Sequence, residues 1–442
     1  MASNRRYASA GLDVGTSGCR AAVVDHQGGV LSRARAEWPD GVMPADPETW
    51  WVVARSALAR AVAETRRPVG RVAVDGTSGT VVWTATDGTP LTRAMRYNEP
   101  AAGTWAAVVA HQAPATSGAH GSSSGLARAL HLAALYGLRG PCQLLTQTDW
   151  IAGRLCGRFD CTDENNALKL GYDPVSRCWP DWLQRVPLPD DCLPAAFEPG
   201  TAIGTIRAEV ARATYLRDDC QIVAGTTDSI AGFLATGARV GGEAVTSLGT
   251  TLALKQVSRQ PVFAPEHGVY SHRLGDQFLA GGASNCGAGI LTRYFSEAEL
   301  EALSARLDPD HDTGLDYYPL PAVGERFPYA DPQLQPRLEP RPEDPVRFLQ
   351  GLMEGVAAVE TEGYRRLQEL GAPALERVIT VGGGAANPAW TRIRSRYLGV
   401  PVSAAEEAEA AVGAARLAGG LTTPSWNTRP VDDARPAPGC RP

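Results

Sequence analysis

The sequence predicts an α/β protein built from two related halves. Three observations point that way. Gly11-Leu-Asp-Val-Gly-Thr-Ser-Gly18 and Ser247-Leu-Gly-Thr-Thr251 are Gly/Thr turns between apolar strands, and each half pairs its turn with an acidic residue, Asp13 or Asp228. Each half also has an Asp-Pro helix start, Asp46-Pro47 and Asp344-Pro345, with Asp as N-cap and Pro at the first helical position. Finally, each half runs a short apolar strand into a glycine turn: Arg71–Asp75 into Gly76–Gly79, and Arg377–Val381 into Gly382–Gly384. No period of about 20–50 residues is visible, which excludes solenoids and propellers.

Taken in order, residues 8–24 read as a strand, the turn Gly15–Gly18 and a second strand. Asp25–Gly29 is another turn, and Val30–Trp38 a third strand of an antiparallel meander. A helix follows from Asp46 to about Arg66, with Trp50, Val53, Ala54, Ala57, Leu58 and Ala61 on one face. Thr80–Leu91 reads as a hairpin around Asp87-Gly88. Residues 100–145 are mainly helical, with a flexible interruption at Thr116–Gly125. Asp163–Gly171 follows a loop, and Val186–Ile206 is a Pro-rich connection. The second half opens with strand Gln221–Gly225, Asp228 and helix Ser229–Thr236. It closes with a helix from Asp344 to Leu370, a strand at Arg377–Val381, a helix from Asn387-Pro388 and a last helix at Glu409–Gly419. The expected domains are 1–219 and 220–421, followed by a Pro-rich, disordered tail at 422–442.

Composition removes several classes of protein. At 442 residues and 44% hydrophobic, the chain can bury two or three cores. No run approaches about 18 apolar residues, and the N-terminus lacks a secretory h-region, so no membrane contact and a cytoplasmic location are expected. A plastid stroma would require a transit peptide, which this N-terminus does not suggest. A net charge of −6 argues against nucleic acid. Lys169 and Lys255 are the only lysines, so a P-loop NTPase and a protein kinase are both excluded. Nine cysteines without a CxxC suit reduced, mostly buried thiols. Seven histidines without HxxxH or HExxH spacing argue against a zinc site.

A DxGTS turn offers backbone N–H groups and small hydroxyls, which is what a polyphosphate needs for close approach. A nearby carboxylate can hold the water shell of Mg²⁺. Two such turns in corresponding places favour phosphate binding over ordinary hairpins. Asp228 fits an N-cap, and it also fits a proton acceptor beside a phosphate loop; both roles can hold at once. Gly382–Gly384 with Asn387 reads equally as a tight strand-to-helix turn or as a place where a ligand approaches the backbone at a helix start. In the group of Asp75–Gly79 with Arg96 and Asn98, Ser78 and Asn98 can hydrogen-bond a polyol, although serines in turns are usually only turn residues. The two Asp/turn units are expected to face each other across a cleft.

Together, in this order, GLDVGTSG, GTTDSIAGF, VTSLGTTLAL and VGGGAANPAW resemble the motifs of the FGGY carbohydrate kinase family. DGTSGTVV, DENNALKLGYDP, GGASNCG and GLDYYPLP resemble its D-ribulose kinase branch, whose plant members are also described as xylulose-kinase-like. The resemblance implies two ribonuclease-H-like domains of the actin/hexokinase type with an interdomain active-site cleft. It implies ATP and Mg²⁺, and a ketopentose as acceptor, D-ribulose becoming D-ribulose 5-phosphate. D-xylulose, L-ribulose or a pentitol are alternative acceptors, and a sugar-independent ATPase is an alternative activity. Carried over, Asp228 is the general base; Asp13, Ser78 and Asp228 bind substrate; Asp13 and Asp228 serve the metal. Thr16, Ser17, Gly249, Thr250, Gly383, Gly384, Asn387 and Trp390 bind ATP. The chain departs from the family's charged sugar clamp at Tyr97–Ala101, where Glu99 replaces an Asp and Ala101 an Arg. The oligomer is expected to be a monomer or homodimer.

Overall fold

The computed structural model describes residues 7–101, 103–121 and 124–421. The expected tail at 422–442 lies outside the described residues, as do positions 122 and 123 of the 116–125 segment. The chain divides into two compact units. Described residues up to Gly237 and from Glu407 onward form the first, and Ala238–Glu406 the second.

The first unit is organised on a six-stranded sheet. Strands β1 (Ala8–Val14), β2 (Gly18–Val24) and β3 (Val30–Glu37) form the expected antiparallel meander. On the other side of β1 lie β4 (Val69–Gly76) and then the strand Gln221–Thr227, both parallel to it, with Ala202–Thr205 at the edge. Helix α1 (Pro47–Glu64) starts where Asp46 accepts from the N–H groups of Glu48 and Thr49. Its apolar face, Trp50, Ala54, Leu58 and Ala61, packs with Ala10, Leu12 and Val14 of β1. Alternation along the strands sends Ala22 and Val24 to the opposite face, against the helix Ala410–Ala418. The approach is close enough to require glycine: a Cβ on Gly11 would sit 2.0 Å from Ala411 O.

This division differs from the boundaries expected from sequence. Residues 220–237 and 407–421 belong with the first unit. The strand Gln221–Thr227 completes its hydrogen bonds on β4, and helix Ala410–Ala418 returns to pack on β1 and on the helix Asp228–Ala235. Chain order does not reveal which open sheet edge a strand will join.

The second unit repeats the plan. Glu243–Leu248, Leu252–Ser258 and Gln277–Ser284 are antiparallel, and Arg377–Val381 and Val402–Ala404 extend the sheet in parallel. The 25-residue helix Pro345–Glu369 is capped by Asp344 and buries Leu349, Leu352, Met353 and Val356 in the core of this unit. Beneath the sheet lies a fully buried ion pair: Arg394 meets Glu360 through two contacts of 2.6 Å and donates to Thr380 at 2.7 Å. The eight described cysteines are all free, and six are buried. Among the described residues no helix is long and apolar enough to cross a membrane.

Candidate active site

Parallel strands end at the same sheet edge, and side chains at those ends converge. In the first unit Asp13 of β1 stands opposite Asp75 of β4, and Asp75 stands opposite Thr226 of the next parallel strand. Asp228 follows as the first residue of the helix Asp228–Ala235. Sheet register thus places the strand ends bearing Asp13 and Asp228 on one edge. The capping role considered for Asp228 falls to Thr227, which occupies the N-cap position and makes no side-chain cap bond. Asp228 Oδ1 accepts from the Ser229 N–H at 2.6 Å.

The environment of these acids is electrostatically crowded. Asp13 is 4% exposed and accepts from Arg20 at 3.1 Å. Burial, followed by the charge of Asp228, raises its pKa to about 6 despite Arg20. Asp75 is wholly buried, and no N–H or hydroxyl of the protein donates to either of its carboxyl oxygens. Burial, then the charges of Asp13 and Asp228, hold Asp75 well above the usual carboxylate range. An edge arranged this way can accept a proton or hold a cation.

The adjoining loops are braced from outside. Gly15 N–H donates to Gly18 O at 3.0 Å, closing the first turn. Trp38 Nε1 donates to Gly15 O and the Met43 N–H to Thr16 O, each at 3.1 Å. Thr16 is exposed and Ser17 half-buried. In the Gly76–Gly79 turn, Thr77 donates to Gln147 Oε1 at 2.9 Å, and Arg128 donates to Gly79 O at 3.2 Å. The Ser78 hydroxyl is shielded and has no protein partner. Asn98 is exposed. Glu99 is engaged within its own loop, 2.8 Å from Arg93 and 2.7 Å from Arg96. Burial pushes the Glu99 carboxyl up, but the two arginines outweigh it and lower its pKa.

The second unit assembles a different surface. Gly249 N–H donates to Thr251 O at 3.1 Å, and Thr250 is exposed at the hairpin tip. Gly382, at φ +89°, presses on this hairpin: a Cβ there would lie 2.8 Å from Leu248 O. A Cβ on Gly384 would lie 2.5 Å from Leu248 Cδ2, whereas Gly383 faces open space. The segment after Gly281–Gly287 joins them, with Ala288 N–H donating to Gly249 O at 2.7 Å. The sequence-predicted Gly249, Thr250, Gly383 and Gly384 are therefore neighbours.

Two expected ATP contacts are placed otherwise. Trp390 is 1% exposed, donates to Met353 O at 3.0 Å and packs in the core, so it supports the turn from beneath. Asn387 caps its helix, accepting from Trp390 N–H at 3.0 Å and donating to Ser304 at 2.8 Å. Three residues near the acidic edge were given no chemical role by the sequence: Asp75, Arg20 and Lys169. The available signals were an aspartate ending an apolar strand, as Asp13 nearly does, and a lysine in a chain that has two.

Among the described residues no group of three His, Cys, Asp or Glu side chains could cage a metal ion. Magnesium is commonly held by one or two carboxylates plus substrate phosphates, and the hard oxygen donors of Asp13 and Asp228 fit that mode.

Comparison with known proteins agrees with this architecture. The solved structure of a xyloylose kinase from Brucella ovis superposes with a TM-score of 0.81 at 23% identity, covering 94% of this chain and 90% of that one. A ligand-bound xylulose kinase from Lactobacillus acidophilus gives 0.80 at 16% identity, covering 94% and 90%. These likenesses define the fold as the two-domain actin/hexokinase type. Residues 244–420 match the C-terminal domain of the FGGY family of carbohydrate kinases. The Yersinia pestis autoinducer-2 kinase is 27% identical, covering 92% of this chain and 85% of that protein. The Bacillus subtilis xylulose kinase is 25% identical over 62% of this chain, which spans 57% of its length. Across its length the chain is thus similar to carbohydrate kinases, and its match to the FGGY family lies in residues 244–420.

Proposed function

We propose that the protein is an ATP- and Mg²⁺-dependent kinase that phosphorylates the 5-hydroxyl of D-ribulose. The observation that carries this reading is the shared sheet edge of Asp13 and Asp228, next to a Ser78 hydroxyl without a protein partner. Asp228 takes the proton from the acceptor hydroxyl. The hydroxyl oxygen bonds to the γ-phosphorus, the bond to the β–γ bridging oxygen breaks, and ADP leaves. Asp13 orients the sugar and holds the metal with Asp228, and Ser78 donates to a sugar hydroxyl. Thr16 and Ser17 offer hydroxyls and a turn backbone to phosphate. Gly249, Thr250 and Gly383 present backbone to the nucleotide, and Gly384 holds the turn against Leu248 beside them. When bound, Mg²⁺ neutralises charge on the phosphates.

D-Xylulose is the second reading, favoured by the names of the Bacillus relative and of the solved structures. The test is ADP release, followed with and without D-ribulose, D-xylulose, L-ribulose and ribitol. Strong stimulation by D-ribulose supports the proposal. Preferential stimulation by another sugar reassigns the acceptor, and a flat, sugar-independent rate overturns the kinase reading.

A further inference from the structure

The arginines near the acidic edge are already engaged: Arg93 and Arg96 by Glu99, and Arg20 by Asp13. Arg128, 1% exposed, is spent on backbone carbonyls: it donates to Gly79 O at 3.2 Å, to Glu99 O at 2.8 Å and to Tyr97 O. Lys169 remains. It sits in the short turn Leu168–Leu170, whose two leucines are buried and fix the backbone. Its Nζ lies 3.4 Å from Ser78 O, a long contact and its one hydrogen bond among the described residues. An ammonium carries three donors, so this partner leaves most of its capacity unused. The neighbouring Ser78 Oγ is likewise shielded and without a partner. Burial lowers the Lys169 pKa, the charge of Asp228 opposes that shift and Arg128 adds to it, so the side chain lies within electrostatic reach of Asp228.

We propose that Lys169 is a substrate-binding residue whose ammonium donates to an oxygen of the acceptor sugar beside Ser78. This rests on the sugar-kinase reading. Two unspent donor groups, on Ser78 and Lys169, flank the place where a polyol would hydrogen-bond, and the cation compensates for the clamp charge missing at Ala101. The ligand class is a neutral polyhydroxylated chain, whose oxygens accept from the ammonium without needing a negative charge.

The test uses the scarcity of lysine. The intact protein is acetylated with an N-hydroxysuccinimide ester, with and without D-ribulose, and Lys169 and Lys255 are followed by peptide mass spectrometry. The expected result is that sugar slows acetylation of Lys169 and leaves Lys255 unchanged. Equal Lys169 labelling at a sugar concentration that saturates turnover overturns the proposal. In parallel, Lys169→Met should raise the KM for sugar about tenfold or more, with the KM for ATP and the unfolding midpoint little changed. Lys169→Arg should recover part of that loss. A fall in kcat and stability with an unmoved sugar KM assigns Lys169 a structural role and overturns the proposal. If Lys169→Met fails to fold, the labelling arm on the unaltered chain decides. Absence of any sugar-dependent turnover overturns the kinase reading with it; normal turnover without protection or a KM shift overturns only the role of Lys169.

Discussion

The two units differ in how far they partner their buried acids. In the second unit three buried acids have a cation, Glu360 with Arg394, Glu243 with Arg377, and Glu354 with Arg396, while Glu325 is held by the hydroxyls of Ser284 and Tyr318. In the first unit Asp13 and Glu164 have Arg20 and Arg177, but Asp75 has no ion pair and shares a carboxyl–carboxyl contact with Asp13, and Asp149 and Asp163 rely on neutral donors. A buried carboxylate without a cation is costly, so such groups are kept where chemistry uses them or where they stay protonated. The contrast teaches that a shared sheet plan does not imply a shared task. The first unit gathers acids at its strand ends, whereas the second gathers glycines.

The comparison can be broken most directly at Asp228. Asp228→Asn should lower kcat by roughly 10²–10⁴-fold with nucleotide binding retained, as read from steady-state kinetics and ADP titration. A near-normal kcat would remove the base from the first unit. The paired acids of the second unit should matter for stability instead. Glu360→Gln leaves Arg394 buried with half its partner and should cost about 3–5 kcal/mol in denaturant unfolding. A loss within experimental scatter would mean that the pair is dispensable. The glycine cluster comes next. Gly382→Ala meets both a positive φ and Leu248 O, and should cost about 1–3 kcal/mol, appearing as a raised KM for ATP with the sugar KM unchanged.

The smallest effect concerns pH. Burial first, and then the charge of Asp163, raise the pKa of Asp149 to about 7, against the hydrogen bonds from Thr146. The folded state therefore holds a proton that the unfolded chain releases near pH 4. The resulting stability is fully present below about pH 4 and is lost as pH rises through about 7. Asp149→Asn should flatten this fall, whose slope is at most about 1.4 kcal/mol per pH unit. Unfolding midpoints measured at several pH values check it; parallel curves for the two proteins would show that Asp149 does not titrate there.

Much of the local structure was legible in the sequence. The Asp-Pro starts became capped helices, GLDVGTSG became two strands around a turn, and the apolar runs ending in Asp75 and Val381 became parallel strands. These features depend on neighbours a few residues away. Trp390 shows where the reading fails: its position in a motif near Gly384 suggested a ligand contact, while its helix phase turns the ring into the core. Lys169 shows the reverse, since a lysine between two apolar residues reads as a solvated side chain until its neighbour Ser78 is known.

By itself the sequence determined the strand and helix types, the doubled plan, the family motifs and the candidate acids Asp13 and Asp228. The reason is that turn chemistry, capping and apolar periodicity are local. Tertiary structure alone decided that the strand Gln221–Thr227 joins β4, that helix Ala410–Ala418 returns to the first unit, and that Asp75 lies buried beside Asp13. Those outcomes follow from sheet register and from close glycine contacts between distant segments, which no local window of sequence contains.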